Sequence, residues 1–235
     1  MHDFWGYASG NNFSVGCTGK TTYVFDNNGK ELKKFTNQKY AYTPVISPDE
    51  TTFVVKTTDG HLLAYSLETL SLINNLRFSK VDGGQDDSFC FSADEKQLIN
   101  IERQKDELHQ TISTYNVEDF SLISRFELDG NTAICCIEYD TATDKYYVLG
   151  FSRQKKFLIF NKSIYFVAEF NKSEIVNARK ISEKDFDFFH SYKSLEIMGF
   201  TPKSYKWAYL DTPLDEIKKM NCSLAKLYEQ HSINL

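Results

Sequence analysis

Three aspartates crowd one short glycine-containing stretch, Asp82-Gly83-Gly84-Gln85-Asp86-Asp87. Carboxylates at that density can receive Lys or Arg side chains from a partner, or gather oxygens around a calcium ion. A second charged run, Arg103-Gln104-Lys105-Asp106-Glu107, mixes both signs. The other chemistry-bearing residues are dispersed. His2, His61, His109, His190 and His231 show neither His-x-His nor His-Glu-x-x-His spacing, so no local zinc site is expected. Cys135 and Cys136 are adjacent, and neighbours on a strand point to opposite faces, which makes them poor ligands for one metal. A Gly-x-Ser-x-Gly elbow and a phosphate loop are both absent. The expected chemistry is protein recognition through Asp82, Gln85, Asp86, Asp87, Arg103, Asp106 and Glu107, with no metal and no cofactor.

The elements that must position these residues repeat along the chain. An aromatic closes a short apolar run at Phe25, Tyr65, Tyr115, Phe160 and Tyr209, which are 40, 50, 45 and 49 residues apart. Periods of about 40–50 residues with strand-like content mark propeller blades. Phe13-Ser14-Val15 and Thr22 to Asp26 lie without a gap over Phe53-Val54-Val55 and Leu62 to Ser66. Two later copies share Gly150-Phe151-Ser152 and Gly199-Phe200-Thr201 ahead of a further apolar run. Asn27-Asn28-Gly29 between strand-like runs is a hairpin signal, because its turn residues tolerate positive φ. Ser47-Pro48-Asp49-Glu50 and Ser92-Ala93-Asp94-Glu95 mark the turn after the first strand of a copy. Four strands per copy follow.

On these turns and strand-ending aromatics the chain resembles WD40-like and YVTN-like β-propeller repeats. It lacks the Gly-His and Trp-Asp dipeptides of WD40 blades, with Phe25-Asp26 and Tyr115-Asn116 in the equivalent place. The resemblance implies an all-β propeller of about five four-stranded blades over residues 1–212, with repeats at about 3–36, 40–78, 87–128, 132–170 and 174–212. The last repeat is irregular, with room around Asp185 to His190 for a loop or short helix. Residues 213–235 read as an amphipathic helix packed on the propeller, with Leu214, Ile217, Leu224, Leu227 and Tyr228 on its apolar face, Thr212 as cap and Pro213 at the first position. In such a fold the loop at 82–87 neighbours the loop at 103–107.

Composition narrows the function. A formal net charge of −5 argues against a phosphate-backbone binder, which needs clustered Lys and Arg, and fits a basic protein partner. No apolar run approaches the ~18 residues of a membrane span, and the first residues show no export signal. Five scattered cysteines fit free thiols in the cytoplasm. The expected function is a non-catalytic interaction module, in one form an immunity or antitoxin protein that occludes a basic toxin. The alternative is a propeller enzyme, a carbohydrate-active hydrolase or lyase with its site in the central channel. That needs converging carboxylates, and innermost strands starting near Asp3, Thr43, Asp87, Thr132 and Ile175 would supply two at most. Tyr40 and Tyr42, at the first junction between repeats, could serve as binding anchors or as core.

Overall fold

The computed structural model describes residues 4–80, 88–104, 109–156, 160–208 and 210–231. Sixteen strands form four separate antiparallel sheets, each paired in chain order. The first holds β1 (Gly6–Ser9), β2 (Phe13–Cys17), β3 (Thr22–Asp26) and β4 (Glu31–Phe35); the second holds β5 (Ala41–Ile46), β6 (Thr52–Thr57), β7 (His61–Ser66) and β8 (Ser71–Arg77). The third holds β9 (Phe89–Phe91), β10 (Gln97–Arg103), β11 (Gln110–Asn116) and β12 (Leu122–Glu127). In the fourth, β13 (Thr132–Asp140) and β16 (Ile175–Lys180) flank a long hairpin of β14 (Lys145–Lys156) and β15 (Phe160–Phe170). Four helices follow: α1 (Glu183–Met198), α2 (Pro202–Ala208), α3 (Leu214–Ile217) and α4 (Leu224–Glu229).

The second strand of each later sheet explains how the sheets stack. Side chains alternate across a strand, so a continuous apolar run serves both faces. On β6, Phe53 and Val55 pack with Val15, Val24 and Tyr65 towards the first sheet, while Val54 joins Leu98 and Tyr115 towards the third. On β10, Leu98 faces back, and Ile99 and Ile101 pack with Ile134 and Val148 of the fourth sheet. On β14, Val148 faces the third sheet and Tyr147 and Leu149 meet the helices. Each fully buried Leu, Ile or Phe in this series contributes about 1.5–3 kcal/mol.

The chain is an all-β propeller with a helical C-terminus, and among the described residues its blades number four. The expected fifth copy, 174–212, divides differently: Ile175 to Lys180 complete the fourth sheet as its outer strand, and the rest is helical. The aromatic that ends the third strand of that sheet is Phe170, opposite Ile175, just as Tyr65 faces Leu72 and Tyr115 faces Leu122. A longer hairpin displaced it from Phe160. The two Gly-Phe pairs arise from different causes. A Cβ at Gly150 would lie 2.4 Å from the Ala133 carbonyl oxygen, whereas Gly199 caps α1 at φ 70°.

The helices stand where a fifth blade would. Phe186 of α1 and Leu224, Leu227 and Tyr228 of α4 cover the open face of the fourth sheet, and α1 also runs against β1 and β5. The tail is two short helices rather than one. Pro213 is itself the N-cap of α3, with no side-chain cap, and Ser223 caps α4 by accepting from Lys226 N. Ile217, Leu224, Leu227 and Tyr228 are buried as expected, and Leu214 is half-buried. No helix among the described residues is long and apolar enough to cross a membrane.

Candidate functional site

Three places bring polar or exposed aromatic groups together. The first is the end of the propeller where the innermost strands begin. Trp5 and Tyr40 are 39% and 51% exposed there, so Tyr40 is a surface residue and not core. Trp5 meets the half-buried Tyr42 ring edge-on at 6.2 Å. Tyr40 adopts φ 56°, a left-handed conformation that costs a bulky residue roughly 1–2 kcal/mol. Local hydrogen bonds hold it: Tyr40 O accepts from Thr58 N at 3.0 Å, and Ala41 and Gly19 exchange backbone bonds of 2.9 and 3.1 Å.

Of the expected recognition residues only Arg103 is described. Asp82, Gln85, Asp86, Asp87, Asp106 and Glu107 fall outside the described residues, but their flanks are placed. Ser79 Oγ donates to Arg103 O at 2.9 Å, so the segment leaving the second sheet touches the end of β10. Arg103 is the half-buried last residue of β10.

The second place is the central channel, a cavity of about 370 Å³ bounded by the inner strands and α1. Glu138 of β13 and Glu196 of α1 converge there on Lys193, whose Nζ lies 2.7 and 2.8 Å from their oxygens. Burial works to lower the Lys193 ammonium, but the two carboxylates outweigh it and hold it above the ordinary lysine range. Burial raises the Glu196 carboxyl, and the neighbouring ammonium offsets only part of the rise. Glu138 also accepts from Leu224 N at 3.2 Å, tying α4 to the channel wall. Tyr7, Val45, Phe89 and Ile137 make the rest of the wall largely apolar. Ile175 contributes nothing here, since it opens an outer strand, and Asp3 and Asp87 lie outside the described residues.

The third is a polar network buried between the second and third sheets. Glu102 has no exposed surface and accepts from Tyr115 Oη at 2.5 Å, Gln104 Nε2 at 3.1 Å, and Asn100 Nδ2, Thr111 Oγ1 and Arg125 Nη2 at 3.3 Å each. Lys56, 1% exposed, donates to Ile101 O at 2.6 Å across the same interface. A side-chain network therefore exists without the Trp-Asp dipeptide, built on the aromatic that stands near its place. Sequence reasoning missed Glu102 and Lys56; charged residues inside otherwise apolar strands were the available signal.

Metal chemistry finds no assembled site: no group of three or more His, Cys, Asp or Glu among the described residues could hold an ion. Burial pushes the Cys17 thiol up to about 12, far from reactivity at neutral pH. Cys135 and Cys136 do not point to opposite faces as a regular strand would place them. The pairing of β13 with β14 shifts between Ile134 and Cys136, and both thiols pack against the cluster under the helices.

No family model matches the sequence, and no curated protein does. Among solved structures the chain is similar to hydrazine synthase of Kuenenia stuttgartiensis, at 13% identity and a TM-score of 0.57 over 73% of this chain and 51% of that one. It is also similar to the WD40 domain of Toxoplasma gondii coronin, at 11% identity and a TM-score of 0.53 over 70% of this chain and 41% of that one. The chain spans about half the length of these structures or less. What is shared is the fold, a WD40-like propeller.

Proposed function

We propose that this chain is a non-catalytic protein-interaction module that binds a basic partner protein at the end of the propeller where the inner strands begin. The observation that carries this reading is the exposure of Trp5 and Tyr40 there, beside Tyr42. Trp and Tyr add large contact area at small entropic cost, and the Tyr40 backbone is held by local hydrogen bonds before binding. Such propellers serve widely as interaction scaffolds, which supports the class but not the partner. The net charge of −5 and the aspartates of the 82–87 segment favour a basic surface opposite. An immunity or antitoxin protein acting in the cytoplasm, which covers the active site of a basic toxin, fits this charge and size.

The test is titration of the purified chain against the products of neighbouring genes. Trp5→Ala combined with Tyr40→Ala should weaken binding by at least tenfold, about 1.4 kcal/mol, with the melting temperature unchanged. Unchanged affinity in that variant would show that this end is not used.

A second reading, a hydrolase or lyase in the channel, draws on Glu138 and Glu196, two carboxylates in one cavity. Both are engaged by Lys193, and that pairing weighs against a free acid and base. Hydrolysis of a panel of aryl glycosides, abolished by Glu196→Gln, would favour it; no turnover above that of Glu196→Gln would remove it.

A further inference from the structure

We infer that the helical layer carries a second docking site, a groove along α1 that takes a basic amphipathic helix of the partner protein, an inference that rests on reading the chain as an interaction module. A cavity of about 1190 Å³ opens between α1 and the residues Ala208, Leu210, Asp211 and Thr212. Helical periodicity makes one wall of it. Lys184, Asp187, Ser191, Ser194 and Met198 recur at intervals of three and four and form a single stripe on the groove side, while Phe186, Tyr192 and Leu195 of the same helix are buried. At a rise of 1.5 Å per residue the stripe from Lys184 to Met198 runs about 21 Å, the length of a docked helix of similar size.

Floor and rim differ in chemistry. Phe188, Met198 and Leu210 are half-buried and Ala208 is buried, which gives an apolar floor. Glu183, Asp187 and Asp211 are exposed along the rim beside Lys184 and His190, and Glu183 accepts from Tyr165 Oη at 3.0 Å. Asp187 and Asp211 form no hydrogen bond or ion pair among the described residues. Carboxylates in the turns behave differently: Asp49, Asp94 and Asp119 are taken up by neighbouring hydroxyl and backbone donors. An apolar floor flanked by the unengaged carboxylates of Asp187 and Asp211 complements a helix with one apolar face and Lys or Arg flanks. An acidic helix would meet like charge.

The probe is a synthetic amphipathic peptide of about 14 residues, the span implied by the stripe, with leucine on one face and lysine on its flanks, labelled for fluorescence anisotropy against the full chain. Saturable one-to-one binding is expected, weakened at least about tenfold by Asp187→Lys with Asp211→Lys and weakened at both low and physiological salt by Met198→Glu. The control is Glu31→Lys with Glu127→Lys, which changes net charge equally at exposed positions outside the groove and should leave affinity unchanged. Absence of saturation, or equal weakening by the control pair, overturns the groove. Trp5→Ala with Tyr40→Ala should bind the peptide normally. A groove that fails while that pair still abolishes partner binding leaves the proposed function standing, and the reverse result isolates the fault to the propeller end.

Discussion

Glu102 illustrates what one side chain decides between two blades. Its carboxylate is fully buried and receives five side-chain donors, so Glu102→Ala would strand the buried ones, Asn100, Thr111 and Tyr115, away from water. The expected loss is about 3–5 kcal/mol, read as a fall in the urea midpoint. A loss below about 1 kcal/mol would mean the network relaxes around the gap. The turn aspartates carry a pH dependence. Ser92 Oγ at 2.6 Å and the Lys96 N–H hold Asp94 below the usual carboxylate range, and Ser121 does the same for Asp119. A lowered carboxyl contributes stability that is complete above its unfolded value of about 3.9 and is lost as pH falls through the lower folded value. Asp94→Asn should therefore lose less melting temperature than the wild type between about pH 5 and pH 3. The Ser-x-Asp turn was legible because its donors are two residues away, whereas Glu102 draws partners from three strands.

At the scale of elements, the C-terminal helix shows what periodicity can reveal and where it stops. Ile217, Leu224, Leu227 and Tyr228 are buried as their spacing predicts, yet Lys218 to Ser223 break the helix in two. α4 is held by Arg179 of β16, whose Nη1 donates to Tyr228 O at 2.6 Å and His231 O at 2.7 Å, with the guanidinium 3.5 Å from the Tyr228 ring centroid. Tyr228 O also accepts from His231 N at 3.3 Å, so the guanidinium adds a second donor at a helix end where carbonyls run short of partners. Arg179→Met should speed amide exchange in α4 by about tenfold or more while leaving β10 and β11 protected, because it removes a clamp on one element. Equal acceleration throughout would mean that α4 and the sheets open as one unit. Blade register was legible where hairpins are short, and misleading where β14 and β15 extend to 12 and 11 residues.

For the molecule as a whole, the helical layer determines whether four blades suffice. Tyr147, Leu149 and Val167 form an apolar face that Phe186, Leu224, Leu227 and Tyr228 help to keep from water. A chain ending at Ile181 should aggregate or self-associate on size exclusion, since exposed apolar sheet faces mark association sites. A monomeric, cooperatively melting truncation would show that the propeller stands alone. The same layer forms the groove wall and brings Lys193 and Glu196 into the channel, so its removal should also abolish peptide binding.

The sequence alone carries the strand content, the four-strand repeat, the turn chemistry and the apolar character of the tail, because each follows from spacing within a few residues. It also locates the first three strand-ending aromatics. Blade number, the helical closure, the convergence of Glu138, Lys193 and Glu196, and the exposure of Tyr40 belong to the tertiary structure. Each depends on which distant segments meet. Gly-Phe-Ser at 150–152 and Gly-Phe-Thr at 199–201 look alike, but one glycine makes room for a neighbouring strand and the other ends a helix. Local chemistry cannot tell those apart, since what separates them is a carbonyl oxygen seventeen residues away in one case and a left-handed helix cap in the other.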